Sequence, residues 1–547
     1  MTARPPLTAM QSRELQAAQR LLRDGNGEGA IDRIKPLLAG GLVHADAYAL
    51  FASACRVQGL LAEARTSLNA AVNLDPGSAA NWAALGELLM QTGDAEKAEV
   101  ALRRAAEIDP VAIRPAQAQA HAVALRMLDR SVEALDVLAP LAGRGDAASA
   151  TQALHGHLLG DAGRFDEAVQ QYRSAIENEP DNLDAHETLA RLLPQIGERE
   201  AALDSYRRAL VAMPANEALW ASALGSARSL GAMEQLLAWS SLATGLYPHR
   251  ADFMVYRADS LGATGDVTGA LALLEPLVDG ERPNVAAAIQ AAHWRLVAGE
   301  PDLAQRHAHS ATLAAPDLQT GWAYLGICWR LLGDGREVWL NDHDRLTTTI
   351  ALEPPDGFAD VASFLAELRD TLDTMHLTIE HPADQSLRQG TQTRGHLFMR
   401  RNALIEALGL GLHRQIEAWL ATLPRDQAHP FLRRNSGRIG FKHSWSVKLR
   451  DSGFHLSHIH QDGWLSSAFY VALPQAVAAG AMADGLPQGA LTFGVPDASL
   501  GLDLAPQRVV RPEPGMLVLF PSYVWHGTVP FSSTEPRLAV AFDALPV

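Results

Sequence analysis

His458-Ile-His460-Gln-Asp462-Gly-Trp464-Leu-Ser-Ser-Ala-Phe-Tyr470-Val is the stretch on which the reading of the C-terminal region turns. It is answered by Pro514-Gly-Met-Leu-Val-Leu-Phe-Pro-Ser-Tyr-Val-Trp-His526, and then by Pro-Arg537-Leu-Ala-Val-Ala-Phe-Asp. A His-x-Asp pair with one distant His is what a 2-His-1-carboxylate set needs to hold Fe(II) on one face and leave the other open. In an extended segment side chains alternate, so His458, His460 and Asp462 all face one way and any two could ligate with His526. The carboxylate completes the facial set, which favours His460, Asp462 and His526, with His458 as the substitute ligand. His455 faces the other way and reads as a structural histidine. Zinc is the rival metal, but three N/O ligands followed by an arginine suit Fe(II) with an organic co-substrate better.

Around these motifs lie short β-rich segments at 444–449, 465–473, 490–495, 516–520 and 538–542, separated by Gly, Pro and Asp. They predict an all-β barrel or sandwich. Ahead of them, 357–375 places Phe358, Val361, Phe364, Leu365 and Leu368 at helical spacing, and a second helix is expected over 402–423.

The N-terminal part repeats. Glycines fall at 25, 59, 93, 163, 197, 231, 265, 299 and 333, every interval being 34 except the 70 from Gly93 to Gly163, two periods plus two residues. Pro76, Pro110, Pro180, Pro214, Pro248 and Pro316 keep the phase, as do Ala30, Ala64, Ala98, Ala168, Ala202, Ala270 and Ala304. The glycine turns the chain between two helices, the alanine lets them cross closely, and the proline ends the second. Trp82-Ala-Ala-Leu85-Gly86, Gly93, Ala98, Ala105 and Pro110 match the tetratricopeptide pattern, whose hairpins stack into a right-handed solenoid with a concave binding face. Trp82, Trp220 and Trp322 share one repeat position and read as packing residues.

The expected architecture is multidomain: a tail at 1–10, an all-α solenoid of about nine and a half repeats at 11–335, and a β-rich domain with bracing helices at 336–547. The 547 residues, 48% hydrophobic and 20% charged, have the composition of a folded soluble chain. No secretory signal or membrane span is expected, and the two cysteines, Cys55 and Cys328, form no disulfide framework, so a cytoplasmic location is expected. The net charge of −16 argues against nucleic acid. Residues 385–450 nevertheless hold 12 Lys/Arg against 3 acids. That run is either a solvated face or a positive mouth that draws in an anionic substrate or co-substrate.

His460-x-Asp462, His526 and Arg537, with Gln385-Ser-Leu-Arg388-Gln-Gly390-Thr-Gln392, Ser444-Trp445-Ser446-Val447 and Phe520-Pro-Ser522, resemble the 2-oxoglutarate/Fe(II)-dependent oxygenases of the prolyl-hydroxylase-like superfamily found fused behind tetratricopeptide repeats. The resemblance implies a double-stranded β-helix (jelly-roll) fold. It also implies a dioxygenase that uses Fe(II), 2-oxoglutarate and O2, with ascorbate as an accessory reductant, to hydroxylate a C–H bond. Arg537 would hold the far carboxylate of 2-oxoglutarate, a role a planar guanidinium fork suits. Ala539 departs from the small hydroxyl residue of many relatives. Tyr470 and Lys448 are expected on the co-substrate side, with Trp445 and Arg388 in the pocket. The substrate expected is a protein or peptide recruited by the solenoid. The other class considered is a non-catalytic scaffold with an inactive metal-binding barrel.

Overall fold

The computed structural model describes residues 7–110, 114–144, 147–279, 283–383 and 385–547. Of the expected tail, residues 1–6 lie outside the described residues, and the first helix already runs Ala9–Arg23 behind a Thr8 cap. The chain forms two compact units, 1–178 and 179–547.

The first unit is a stack of helical hairpins, from Ala9–Arg23 with Gly27–Ala39 to Ser149–Asp161 with Phe165–Asn178. The phased glycines take φ between +68° and +101°, a region that side chains with a Cβ disfavour. In the irregular fourth repeat Asp129 does the same work at φ +57°. The two additional residues lie in the connection 109–114 between helices Ala95–Ile108 and Pro115–Met127; the equivalent connection one repeat earlier is only 75–78. Ala30, Ala64, Ala98 and Ala168 are fully buried where the helices cross.

In the second unit the hairpins continue from Leu183–Gln195 to Val285–Val297 with Pro301–Ala314, and end in the single helix Gln319–Leu332. The repeated tryptophans have a structural task in both units. The Nε1–H groups of Trp82, Trp220 and Trp322 donate to the carbonyls of Pro76, Pro214 and Pro316 at 3.0, 2.9 and 2.9 Å. His186 fills the same position and pairs with the Pro180 carbonyl at 3.0 Å. Each bond satisfies a carbonyl that the preceding proline-terminated helix leaves open.

The β-rich part of the second unit holds β1 (Thr348–Ala351), β2 (Leu387–Gln392), β3 (Ile439–His455), β4 (Leu465–Ala472), β5 (Met482–Ala483), β6 (Leu486–Pro487), β7 (Leu491–Phe493), β8 (Arg508–Val510), β9 (Met516–Pro521), β10 (His526–Thr528) and β11 (Arg537–Pro546). A six-stranded antiparallel sheet runs β1-β9-β4-β11-β3-β2, and a smaller one β10-β7-β8. Strand β3 is far longer than the 444–449 segment the sequence suggests, because β11 pairs with it from Arg537↔Leu449 to Pro546↔Ile439. The two expected helices form at Val361–Asp373 and Ala403–Leu420, started by Asp360 and Asn402, whose side chains accept from backbone N–H groups of the first turn. They brace the outer face of the large sheet. There Phe398 packs on Phe441 and Phe542, and Lys448 pairs with Asp373 at 2.9 Å.

The change from helical to β pattern near 335 does not interrupt the core. One buried cluster runs from Ala292 and Trp329 through Leu340 and Phe364 to Phe520 and Phe542. Trp525 Nε1–H donates to the Ala323 carbonyl (3.3 Å), Tyr523 Oη to the Leu340 carbonyl (2.7 Å), and Arg330 to the carbonyls of Gly494 and Ala505 (both 2.7 Å). The last repeat is thus part of the wall of the β domain. Among the described residues no helix is long and apolar enough to cross a membrane.

His376 ties the bracing layer to the large sheet, with Nδ1 on Thr391 Oγ1 at 2.9 Å and Nε2 on Ser446 Oγ at 3.1 Å. Burial, and then the neighbouring Lys448 charge, push its pKa down to about 4. The unfolded chain takes up this proton near the ordinary histidine value, so stability falls as pH drops from about 6.5 towards 4. In urea titrations of the metal-free protein, the midpoint of the second unit is expected to fall across that window, and less steeply in His376→Gln. Equal slopes for the two proteins would show that His376 is not a source of the acid sensitivity.

Candidate metal centre

Strand alternation decides which side chains reach the inside of the barrel. On β11 these are Arg537, Ala539, Ala541 and Asp543; on β3 they include Trp445, Val447 and Leu449; on β4, Ser466, Ala468 and Tyr470. Ala541, Ala468 and Trp445 remain partly exposed, although Val540, Phe542, Phe469 and Val447 beside them are buried. Solvent therefore reaches an inner floor made of small residues and one indole.

After β3 the chain lies along the start of β10. His458 and His526 exchange both backbone hydrogen bonds (N–H to O, 2.9 and 3.0 Å), and His460 N–H donates to the Ser522 carbonyl at 3.0 Å. These bonds bring the ring nitrogens of His458, His460 and His526 within 4.8 Å of one another. Each ring is oriented through its other nitrogen. Nδ1 of His458 meets the Leu456 carbonyl at 2.8 Å, Nδ1 of His526 the Val524 carbonyl at 3.0 Å, and Nδ1 of His460 the Asp543 carboxylate at 2.6 Å. All three partners are acceptors, so Nδ1 carries the proton and Nε2 carries the lone pair. The Nε2 atoms of His458 and His460 stand 3.2 Å apart. Two lone pairs facing each other at that distance repel unless a cation lies between them, so the donor set fits a divalent metal.

Electrostatics keep His458 and His526 neutral, the form that binds metal. Burial, then the neighbouring His460, lowers His458 to about 3. His526 is held well below the ordinary histidine value by burial and then by His458 and His460. Asp543 is pushed up by burial, but the His460 ring and the Ser466 hydroxyl outweigh this and hold it below the usual carboxylate range. Ser466 Oγ donates to Asp543 at 2.7 Å and meets Ser522 Oγ at 2.8 Å. Gly463 is obligatory here, because a Cβ would collide with the Ser522 side chain and touch Asp543. Trp445 stacks on the far side of His460, 5.8 Å between ring centres and 17° from parallel.

The structure departs from the sequence expectations at three residues. Asp462 does not join the cluster. A turn closed by Gly463 N–H on the His460 carbonyl (3.2 Å) ends the alternation, leaving Asp462 exposed with its carbonyl bonded to Lys442 Nζ. His458, the substitute, stands in its place. Lys448 lies on the outer face of β3, paired with Asp373 and opposite in parity to Trp445, and so does not line the pocket. His455 does not turn away; its ring lies 5.8 Å from that of His458, and Ser386 Oγ bridges them at 3.1 Å from His455 Nδ1 and 3.2 Å from His458 Nε2.

Arg537 and Tyr470 stand together. The guanidinium carbon is 5.0 Å from the centre of the Tyr470 ring. Arg537 is 4% exposed and, among the described residues, has no carboxylate partner; its Nε and the Tyr470 hydroxyl are both buried without a hydrogen bond. Burial raises the Tyr470 hydroxyl, against the pull of the Arg537 charge. A buried guanidinium without a counter-ion is costly, so this corner fits an anionic ligand such as the far carboxylate of 2-oxoglutarate.

Comparison with known proteins agrees with this geometry. Residues 443–543 match the family described as "Putative 2OG-Fe(II) oxygenase", and residues 15–79, 154–217 and 56–123 match tetratricopeptide-repeat models. The chain is a tetratricopeptide-repeat protein that carries a 2OG-Fe(II) oxygenase-family domain. No curated protein matches it. Solved structures similar to it are repeat proteins. The TPR protein YrrB is 19% identical over 36% of this chain and 97% of its own, with a TM-score of 0.31. A tetratricopeptide repeat protein from Parabacteroides merdae is 12% identical over 58% and 98%, with a TM-score of 0.29. A thermophilic TPR protein of Thermus thermophilus is 20% identical over 34% and 99%, with a TM-score of 0.25.

Titration with Co(II) separates the two ligand sets. His458→Ala is expected to weaken Co(II) binding by about 100-fold or more, while Asp462→Ala stays within about twofold of the parent. Asp543→Ala should lose roughly 10- to 100-fold by freeing the His460 ring, with Asn at 543 recovering part of it by still accepting from Nδ1–H. The reverse order for Asp462 and His458 would restore the carboxylate set.

Proposed function

We propose that this protein is a 2-oxoglutarate- and Fe(II)-dependent dioxygenase that hydroxylates a C–H bond in a protein or peptide held by its repeats. His458, His460 and His526 would hold the iron, and Arg537 with Tyr470 would hold the co-substrate. The observation that carries this reading is the pairing, inside one barrel, of three lone-pair-bearing imidazoles with a buried arginine that lacks a counter-ion.

Bound iron and 2-oxoglutarate would supply the oxidising chemistry, in which O2 is the oxidant: one of its oxygen atoms enters succinate as 2-oxoglutarate loses CO2, and the other enters the substrate C–H bond as a hydroxyl. The chain itself binds and orients. Arg537 neutralises the distal carboxylate, and the Tyr470 hydroxyl donates to the same group, which gives both orphaned polar atoms a partner. Ala539 and Ala541 keep the strand between Arg537 and Asp543 low, so an extended diacid can lie across it. Asp543 keeps the His460 proton on Nδ1 and compensates, from outside the ligand set, for the positive charge that three neutral imidazoles leave on the metal. Trp445 closes the floor and limits water beside His460.

The test is succinate release from 2-oxoglutarate by anaerobically iron-loaded protein. Slow iron-dependent release is expected without any added substrate, falling by about 100-fold or more in His526→Ala and Arg537→Ala, the size of effect expected for removing a metal ligand or the sole counter-charge of a co-substrate. Absence of both succinate release and 2-oxoglutarate binding in the iron-loaded parent would instead favour a scaffold whose barrel only binds metal.

A further inference from the structure

The barrel and the repeats of the second unit meet on either side of the metal centre. At one end, the Gln195 carbonyl, closing helix Leu183–Gln195, accepts from Ile379 N–H (3.2 Å) and Glu380 N–H (3.1 Å) on the segment that leads into β2. At the other end, Gln319 N–H donates to the carbonyl of Gln461, next to His460, at 3.0 Å. Between them, helix Val285–Val297 packs against the short turn Ala498–Leu500. The inner helices of the repeats therefore face the barrel segments that carry or support the ligands. At about 10 Å between neighbouring helices, the span from helix 183–195 to helix 319–332 is roughly 40 Å, or about a dozen residues of extended chain.

Two arginines, one from β2 and one from the repeats, stand at the Gln195 end of the seam. Arg388 sits on β2, two residues beyond Ser386, whose hydroxyl touches His458. It uses Nη1 on the carbonyls of Gln385 and Leu387 (2.7 and 2.6 Å). Arg199, from the repeats, bonds the Leu230 carbonyl at 2.9 Å. Neither arginine has a carboxylate within ion-pair distance among the described residues. Their charges oppose each other: burial, and then Arg199, pull the Arg388 proton affinity down, against a weaker attraction from Asp497. His381 lies in the field of both, its Nδ1 buried without a hydrogen bond and 3.8 Å from the exposed Glu380 carboxylate. Two like charges drawn from different parts of the fold and left without a counter-ion are stabilised by an anion placed between them. Arg537 already serves the co-substrate, so this second anion position is available to the substrate.

We infer that the substrate is an extended peptide lying between the inner face of repeats 183–332 and the mouth of the barrel, with an Asp or Glu side chain held by Arg199 and Arg388. The length of the seam suits a chain rather than a small acid, and the acidic anchor sets which residue of the chain reaches the metal. This rests on the dioxygenase reading only for the chemistry that follows binding.

The full-length protein, loaded with Co(II) and 2-oxoglutarate, is immobilised and exposed to a random dodecapeptide library. Binding of Co(II) and of 2-oxoglutarate is measured separately, so failure of the dioxygenase reading is seen there and not in the selection. Retained peptides are expected to be enriched about tenfold or more in Asp or Glu at one position, in line with a charge-assisted hydrogen bond. The Arg199→Ala/Arg388→Ala variant should lose that enrichment and the Lys/Lys variant keep part of it. Arg199→Ala alone, on an exposed side chain, gives the answer if the double variant does not fold. Peptides without acidic enrichment, enrichment that survives in the alanine variants, or no retained peptide at all would overturn the proposal. In the last case, binding of a free dicarboxylic acid that is lost in the alanine variants would identify a small acid as the occupant.

Discussion

His458 and His526 come from segments 68 residues apart, and their reciprocal backbone pairing sets them side by side. Without it the large sheet could still form, since β3, β11, β4 and β9 pair among themselves. The loop after β3, however, would lose two of the backbone hydrogen bonds that fix its course. The pairing sets the depth of His458, His460 is set by its own N–H on Ser522, and the ring tautomers follow from acceptors behind each imidazole. The geometry of the centre is therefore a consequence of backbone hydrogen bonds, and the side chains need only be histidines of the right tautomer.

Charge placement is the second constraint. A barrel interior that holds a divalent ion and a dianion needs both signs near by, but not in contact with each other. Arg537 and Asp543 lie six residues apart on one face of β11, and the alanines between them carry no charge or bulk. The carboxylate meets a histidine and the Ser466 hydroxyl, and the guanidinium is left open. Had the two charges been adjacent, they would have paired with each other and neither would be available to a ligand.

Much of this was legible in the sequence, and the parts that were not have physical reasons. A 34-residue period states the hairpin turn directly, because a left-handed backbone position selects glycine. Asp129 escaped notice because aspartate is the occasional alternative to glycine there. His460, His526, Arg537 and Tyr470 could be found by spacing and resemblance. Asp462 as a ligand requires uninterrupted alternation, which a single turn at Gly463 breaks. The face on which Lys448 lies is not legible in the sequence, because parity within β3 cannot be assigned until its register against β11 is known. Asp543 carries no sequence signal towards His460, from which it is 83 residues distant. A hint lay in a carboxylate inside a strand that is otherwise apolar after Arg537.

The division of the chain into two compact units bears on how such a protein can change length over generations. Whole 34-residue modules within the first unit contribute to a core of their own, so their gain or loss would lengthen or shorten the helical stack and leave the iron-family barrel intact. The modules nearest the barrel have no such freedom. Helix Gln319–Leu332 is at once the end of the stack and part of the wall of the β domain. Duplication or loss is thus open in the first unit and closed at the barrel, and a lineage could vary the number of modules without altering the residues around the metal centre.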